Sequence, residues 1–340
     1  MRVGGDRATS SVRLHFGVDD LARTRIVATL GPLAETMLAL GALRSPVRRA
    51  LFDPWRRHSR RRLAPCGAEI SRVLAPPGRL PLDVFSLLGR TGSIEEGLEG
   101  LVAAPHRLLR AELEPFAAEH PRAWPLRDLS RDDRRSRRSL RHALAACHDA
   151  TVRPYWPSIR AWVEAEAHAL ARSYADGGLE GLLGGRGPGL TWRSPVLEVS
   201  NRLCPHDADV HLDGRGLAIV PAFFATEPFC AAATDGSAVY LLVPAPPTMA
   251  AAPALWSPPA RRPRPGGLGA LLGATRAAVL EAAAAGRTTG EIARHLGISP
   301  AGASQHAAVL REAGLLVSRR ERNTVVHTLT PSGRALLNRA

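Results

Sequence analysis

The sequence contains no lysine. All 45 of its basic residues are arginine, against 31 acidic residues, for a formal charge of +14. Such a surplus attracts polyanions such as nucleic acid or anionic lipid, and says nothing about fold. Alanine, glycine and proline are abundant too, so the arginine-only usage also fits a GC-rich coding bias, which lowers its weight as functional evidence. Cysteine is scarce: Cys66, Cys147, Cys204 and Cys230 are scattered without a Cys-x-x-Cys pair. That spacing argues against a zinc ribbon or a disulfide framework and fits a reducing, cytoplasmic setting. No uncharged run approaches the roughly 20 residues that span a bilayer. The best apolar stretch, residues 217–233, is broken by Pro221, Glu227 and Pro228, and no basic segment followed by an apolar run marks a signal peptide. No Gly-x-Ser-x-Gly elbow is present, and the glycine-rich residues 177–189 lack the lysine of a phosphate loop. The expectation is a protein without membrane association, cofactor, metal or enzymatic activity.

At 340 residues, the chain has room for about two or three domains. Residues 1–12 read as a flexible leader. From Leu14 the text predicts a strand, a helix capped by Asp19 or Asp20, and a longer helix carrying Leu33, Met37, Leu38 and Leu40 or Leu43. Residues 45–175 are mainly helical, with Ile159, Val163, Ala167 and Leu170 on one face of a long helix. Residues 177–189 read as a connector. Residues 190–245 read as a small β-rich section, with Asp213-Gly214 signalling a hairpin between VHL and LAIVPAFF. The N-terminal α/β domain is thus placed at 13–245, and proline and alanine then mark residues 246–267 as a linker. The fold class expected is α+β: a mainly helical N-terminal domain with a small β-rich section, then a C-terminal winged helix-turn-helix domain over 268–340.

That last assignment rests on an ordered set of signals. LGALLGATRAAVLEAAAAG predicts one helix ending at Gly286. Thr288-x-x-Glu291 has the spacing of a capping box, in which threonine and glutamate each satisfy an orphan amide. Ile292 and Leu296 face inward, Gly297 ends that helix, and Ile298 packs the turn. Ser299 is a good N-cap and Pro300 fits the first helical position. The helix over 299–313 then buries Ala303, Ala307 and Leu310 and presents Ala301, Gly302, Ser304, Gln305 and His306. Two helices across so short a turn place the second in a DNA major groove, where Gln305 matches the edge of adenine. LLVSRRERNTVVHTL predicts two strands, 315–319 and 324–329, around the tip Arg320-Glu321-Arg322-Asn323, and Thr330-Pro331 opens a final helix. Residues 318–325 thus read as a wing, suited to the sugar-phosphate backbone or the minor groove. Residues 268–340 carry nine arginines and four glutamates, a net of +5. Candidate DNA contacts are Thr288, Thr289, Ser299, Ala301, Gly302, Ser304, Gln305, His306, Arg311, Arg319, Arg320, Arg322 and Asn323.

The residues TTGEIARHLGIS and SPAGASQHAAVLREAGLLVSRRERNTVVHTLTPSGRALL, with Ser304-Gln305-His306 before LREAGLL, resemble the ArsR family of winged-helix regulators. The resemblance covers the last fifth of the chain. It implies a homodimer that binds an inverted-repeat operator in double-stranded DNA, usually as a repressor released by a ligand. LHFGVDDLARTRI, WRSPVLEV and LDGRGLAIVPAFF are similar to a long N-terminal domain joined to such modules in some high-GC bacterial regulators. Metal-sensing members carry a Cys-Val-Cys motif in the winged domain, and residues 268–340 hold no cysteine. Soft-metal sensing through that site is therefore excluded.

Other readings of particular residues are blander. Cys204, His206, Asp207, Asp209 and His211 place soft and borderline ligands close together, but strand alternation sends neighbours to opposite faces, which favours a polar strand edge over a metal site. The arginine runs at 56–62 and 131–141 suit solvated faces or DNA flanking an operator, with Asp132 and Asp133 partly neutralising the second. An alternative from another class makes the N-terminal domain an enzyme or ligand-binding domain fused to a regulatory DNA-binding tail. No reactive constellation is marked out for it. If instead the winged fold bound a protein, its recognition helix would be apolar outside, where Ser304 and Gln305 are polar. The reading favoured is a dimeric regulator of transcription whose N-terminal domain dimerises, senses an unidentified small-molecule effector, or both.

Overall fold

A computed structural model of the chain describes residues 10–76, 78–119, 134–183, 189–203, 206–256, 267–321 and 324–339. It divides into two compact units, Met1–Pro258 and Pro259–Ala340.

The first unit opens with β1 (Ser10–His15). Three residues assigned to the leader therefore belong to a sheet: Val12 lies opposite both Val199 and Ala208, because the alternation of SVRLH buries Leu14 and half-buries Val12. Next comes α1 (Val18–Arg23), whose Asp20 accepts from the amide of Gly17 at 2.8 Å and, with its other oxygen, from Gly216 at 2.9 Å. The cap is thus Asp20 reaching back from the first turn. β2 (Arg25–Ile26) follows, then α2 (Pro32–Arg44), with proline at its start and eleven of its thirteen residues buried. A helix apolar on every side belongs inside a core.

Around it pack α3 (Arg49–Arg62), α4 (Pro65–Leu74), α5 (Val84–Leu88), α6 (Ile94–Ala103), α7 (His106–Glu119), α8 (Arg134–Thr151) and α9 (Trp156–Leu183). Ile159, Val163, Ala167 and Leu170 are buried along α9. Beyond a break at Gly177 and Gly178 its helical path resumes, burying Leu179, Leu182 and Leu183. The connector expected at 177–189 is therefore in part core, because three leucines among the glycines sit at helical spacing; residues 184–188 lie outside the described residues.

The strands β3 (Leu190–Arg193), β4 (Val196–Asn201), β5 (Ala208–His211), β6 (Leu217–Ala222), β7 (Phe229–Ala232) and β8 (Val239–Pro244) complete two four-stranded sheets. One has the order β3-β4-β1-β5 and the other β2-β6-β8-β7. Asp213 and Gly214 adopt the left-handed conformation expected, with φ of 49° and 79°. They do not make a hairpin, since β5 and β6 lie in different sheets. The turn is local chemistry, whereas the pairing partners are chosen by burial. Along β6 and β8, Ala218, Val220, Ala222, Tyr240 and Leu242 face the helices, while Leu217, Ile219, Val239, Leu241 and Val243 face a second core shared with Leu14, Leu197 and Val199. A strand buried on both faces reads as a continuous apolar run.

The linker expected at 246–267 needs a correction. α10 (Ala252–Trp256) folds onto the helical core, and the Trp256 indole donates to the carbonyl of Leu51 at 2.6 Å. Its ring joins an aromatic cluster of Phe52, Trp55, Tyr155, Phe223 and Phe224. One tryptophan and one leucine in a Pro/Ala-rich stretch suffice to hold it in the core. Residues 257–266 lie outside the described residues.

The arginine runs also act internally. Buried Arg56 donates to the carbonyls of Ala42 at 3.0 Å and Val47 at 2.6 Å, and Arg60 to Leu43 at 2.6 Å. Arg137 donates to Val102 and Ala104, both at 2.7 Å. These bonds satisfy carbonyls at and just beyond the C-terminal ends of α2 and α6, where cationic side chains are favoured. Residues 131–133 lie outside the described residues. Burial shifts the titration of Glu35 and His148 in this core. The carboxyl of Glu35 accepts from the amides of Phe223 (2.9 Å) and Phe224 (3.4 Å), and burial raises its pKa to about 7. His148 is bonded to Thr36 Oγ1 at 3.0 Å, and burial lowers its pKa to about 4.

The second unit holds α11 (Gly267–Leu272), α12 (Ala274–Ala282), β9 (Arg287–Thr288), α13 (Thr289–Leu296), α14 (Pro300–Glu312), β10 (Leu316–Glu321), β11 (Thr324–Leu329) and α15 (Pro331–Arg339). The single helix expected before Gly286 is two, parted at Gly273 with φ of 86°. β10, β11 and β9 form a three-stranded antiparallel sheet in that order. Val279, Leu280, Ile292, Ala303, Ala307, Leu310 and Leu316 make the core.

Candidate nucleic-acid interface

The two helices α13 and α14 are set by their caps. Thr288 Oγ1 accepts from the amide of Glu291 at 3.3 Å, and the Glu291 carboxylate accepts from the Thr288 amide at 2.8 Å. These bonds, with one from the Thr288 hydroxyl, hold the Glu291 carboxyl below its ordinary pKa. Gly297 ends α13 in the left-handed conformation, and Ile298 donates its amide back to Ala293 at 3.0 Å, leaving its side chain against the core. Ser299 then caps α14 by accepting from the amide of Gly302 at 3.0 Å, with Pro300 in the first turn. Both starts are as the sequence specifies.

Along α14 the inward positions Ala303, Ala307 and Leu310 are fully buried. The opposite face carries Ala301, Ser304, Gln305 and Arg311, all exposed, with Gly302, His306 and Ala308 half-buried at its edges. Thirteen residues give a rod about 20 Å long. Its first five residues, Pro300 to Ser304, bear no long side chain, so a polyanion can approach the backbone closely, and Gln305 is the first long hydrogen-bonding group beyond them. Arg294 and His295 are exposed in the last turn of α13, which the sequence reading did not single out.

The hairpin places its arginines differently from the expectation. Arg320 and Glu321 are part of β10, which runs to Glu321, and so extend the strand expected to stop at Arg319. Arg319 lies opposite Val326 and Arg320 opposite Val325, so the two arginines point to opposite faces of the sheet. Arg320 shares its face with the buried Leu316, and Arg319 shares the outer face with exposed Val317 and Thr328. Arg322 and Asn323 lie outside the described residues.

Three candidate contacts are occupied within the fold. The hydroxyls of Thr288 and Ser299 serve as caps, and Thr289 Oγ1 bonds to Nε2 of His327 at 2.9 Å. Nδ1 of the same imidazole bonds to Ser318 Oγ at 2.8 Å. His327 is buried and its pKa is lowered, first by desolvation and then by the charge of Arg311. A neutral ring between two hydroxyls is satisfied in either tautomer. It clamps the first turn of α13 to the hairpin. The sequence reading missed this clamp, because His327 is one alternating position in a strand and its partners lie 9 and 38 residues away. It also missed β9, whose two residues carry no period.

The metal-like cluster of the first unit is engaged otherwise. Asp207 accepts from the Ser11 amide at 2.7 Å, and Asp209 from Arg13 at 2.6 and 2.9 Å and His15 at 2.7 Å. These bonds hold the Asp209 carboxyl well below the usual carboxylate range and tie β1 to β5. His211 stacks on His15 with ring centroids 4.5 Å apart. Cys204 lies outside the described residues, and among those described no group of His, Cys, Asp and Glu is arranged to hold a metal ion. None of the described helices is long and apolar enough to cross a membrane.

The cap-turn-cap pair and its outward polar face coincide with a family match. Residues 271–319, from α11 to β10, match the family described as a helix-turn-helix domain. Residues 271–319 are a helix-turn-helix DNA-binding domain. The helix-turn-helix match takes in α13, α14 and the start of the hairpin, and ends before β11 and α15. Neither a curated protein nor a solved structure matches the chain.

Proposed function

We propose that the chain is a cytoplasmic, ArsR-like transcriptional repressor. It reads duplex DNA as a homodimer, with α14 in the major groove and the β10–β11 hairpin acting as a wing on the flanking backbone. The observation that carries this reading is the outer face of α14, small at Ala301, Gly302 and Ser304 and ending in Gln305. A helix of that profile fits a groove about 12 Å wide, and glutamine pairs bidentately with adenine. Arg294, Arg311 and Arg319 are exposed on the same small unit, whose formal charge is +5 over residues 268–340, and serve as phosphate contacts that fix register without reading sequence. In a twofold dimer the two recognition helices enter successive major grooves about 34 Å apart, which demands an inverted repeat. The N-terminal unit supplies dimerisation and effector sensing, and no catalytic role is assigned to it.

Fluorescence anisotropy with the full chain and duplexes from the region upstream of its own coding sequence tests this. Gln305→Ala should cost about 1–3 kcal/mol on the operator and little on random duplex. Arg319→Gln should weaken both alike and reduce the salt slope by about one. Absence of binding at moderate salt, or equal affinity of parent and Gln305→Ala for the operator, would sink the reading.

A further inference from the structure

In the N-terminal unit α8 begins at Arg134 and has no acidic residue in its first turn. Four of its first five residues are arginine. The start of a helix carries a partial positive charge that attracts anions and repels cations, so this placement works against the helix it opens. Arg134, Arg138 and Arg141 stand at i, i+4 and i+7 and so share one face, within about 60° of arc and about 10 Å of axis. All three are exposed, and among the described residues none has a hydrogen-bond or ion-pair partner. Arg135 and Arg137, by contrast, are already engaged. Arg138 lines two hollows, one of about 560 Å³ shared with Cys66 of α4 and one of about 400 Å³ shared with Val102 of α6. Among the described residues no acidic side chain lines either. The aspartates just before α8 do not cancel the excess, since residues 120–142 hold eight arginines against three acidic residues, a net of +5.

We propose that Arg134, Arg138 and Arg141 make a second DNA contact, on the sugar-phosphate backbone and without reading bases. The planar guanidinium suits phosphate oxygens, and such contacts carry no sequence information. Duplex DNA carries one negative charge per about 1.7 Å of axis, so a stripe of this length meets several phosphates at once. A small anion would engage one arginine or two and leave the rest opposed to the helix end. Phosphates along the whole stripe turn that repulsion into attraction. DNA is also the polyanion at hand: the helix-turn-helix domain lies on the same chain, and a second, tethered contact forms at the effective concentration that the covalent link sets. The choice of DNA over other polyanions rests on the DNA-binding reading above.

The test follows binding of the full chain to operator and to random duplex by fluorescence anisotropy across a salt series. Arg134→Gln, Arg138→Gln and Arg141→Gln together should lower the salt slope by about two to three per protomer and weaken both duplexes at least tenfold at moderate salt, leaving the ratio of the two affinities unchanged. Arg138→Gln alone should lower the slope by about one. The urea midpoint of tryptophan emission should stay level or rise in both, because glutamine relieves the start of α8. Arg90→Gln, Arg172→Gln and Arg193→Gln together remove three exposed arginines from elsewhere in the same unit and should change the slope by less than about one. A parent-like slope in the α8 triple variant, or an equal drop in both triple variants, overturns the contact. So does a loss confined to vesicles of equal parts phosphatidylserine and phosphatidylcholine, which would make the stripe a membrane surface. If the α8 variants match the parent while Gln305→Ala loses the operator, base reading stands without this contact. If the parent binds random duplex through the stripe with no preference for the operator, the contact stands without base reading, and a parent that binds neither duplex overturns both.

Discussion

Replacing Glu35 by glutamine separates the charge of this buried carboxyl from its hydrogen bonds. The pKa of about 7, against 4.5 for an ordinary glutamate, means that folding favours the neutral form. By linkage, a group whose folded pKa is raised contributes stability that is present below the unfolded value and is lost as pH rises through the folded one. The gap corresponds to about 3 kcal/mol at full ionisation, most of which falls between pH 5 and pH 8. Glutamine keeps a carbonyl for the amide of Phe223 but turns an NH₂ toward Phe224, a pH-independent cost on the order of 1 kcal/mol. The informative quantity is therefore the difference in unfolding free energy between Glu35→Gln and the parent, which should move in favour of the variant by about 2–3 kcal/mol from pH 5 to pH 8. His148, with a pKa lowered to about 4, makes the parent less stable as pH falls, but it does so in both proteins and cancels. All six tryptophans lie at or before Trp256, so urea titrations followed by tryptophan emission report the first unit alone. A difference that is flat across this range would refute the reasoning, since Glu35 would then titrate in the folded unit as it does in the unfolded chain.

Three further outcomes follow from the packing. Thr288→Ala and Ser299→Ala each remove a cap worth about 1 kcal/mol, so hydrogen exchange followed by mass spectrometry should show faster exchange at the start of α13 and of α14 respectively, with the first unit unchanged. Gly333→Ala places a methyl group onto the carbonyl oxygen of Leu315, a backbone atom that cannot step aside, and should cost about 2 kcal/mol or more, seen as accelerated exchange in α15 and β10. Trp256→Ala empties the centre of the aromatic cluster and should lower the stability of the first unit by about 3–5 kcal/mol, read from the urea midpoint of the remaining tryptophans; a loss under 1 kcal/mol would mean that α10 is only loosely attached.

The features legible in the sequence were those fixed within a few residues. Thr288-x-x-Glu291, Gly297 and Ser299-Pro300 each specify backbone geometry locally, and all three stand where the sequence puts them. Asp213-Gly214 was legible to the same depth: its dihedral angles are those of a tight turn, but which strand pairs with which is decided by burial across some 200 residues, so the hairpin inferred from it is absent. Composition misled where one large residue outweighed many small ones, as with Trp256 in a proline- and alanine-rich run and Leu182 among glycines. Alanine-rich text hid the break at Gly273, since alanine continues a helix or begins one equally well. At the candidate interface, the sequence named the outward face of α14 but not the role of His327, because a buried imidazole bridging Thr289 and Ser318 is visible only once the strands are paired.

The central claim is that α14 reads a base sequence. Selection of duplexes from a random pool by the full chain, at physiological salt, tests it most directly. The account predicts enrichment of an inverted repeat whose half-sites are about one helical turn apart, with adenine preferred at one position per half-site and that preference lost when Gln305→Ala is used for the selection. A pool that stays random, or the same repeat with the same adenine recovered by Gln305→Ala, would contradict it.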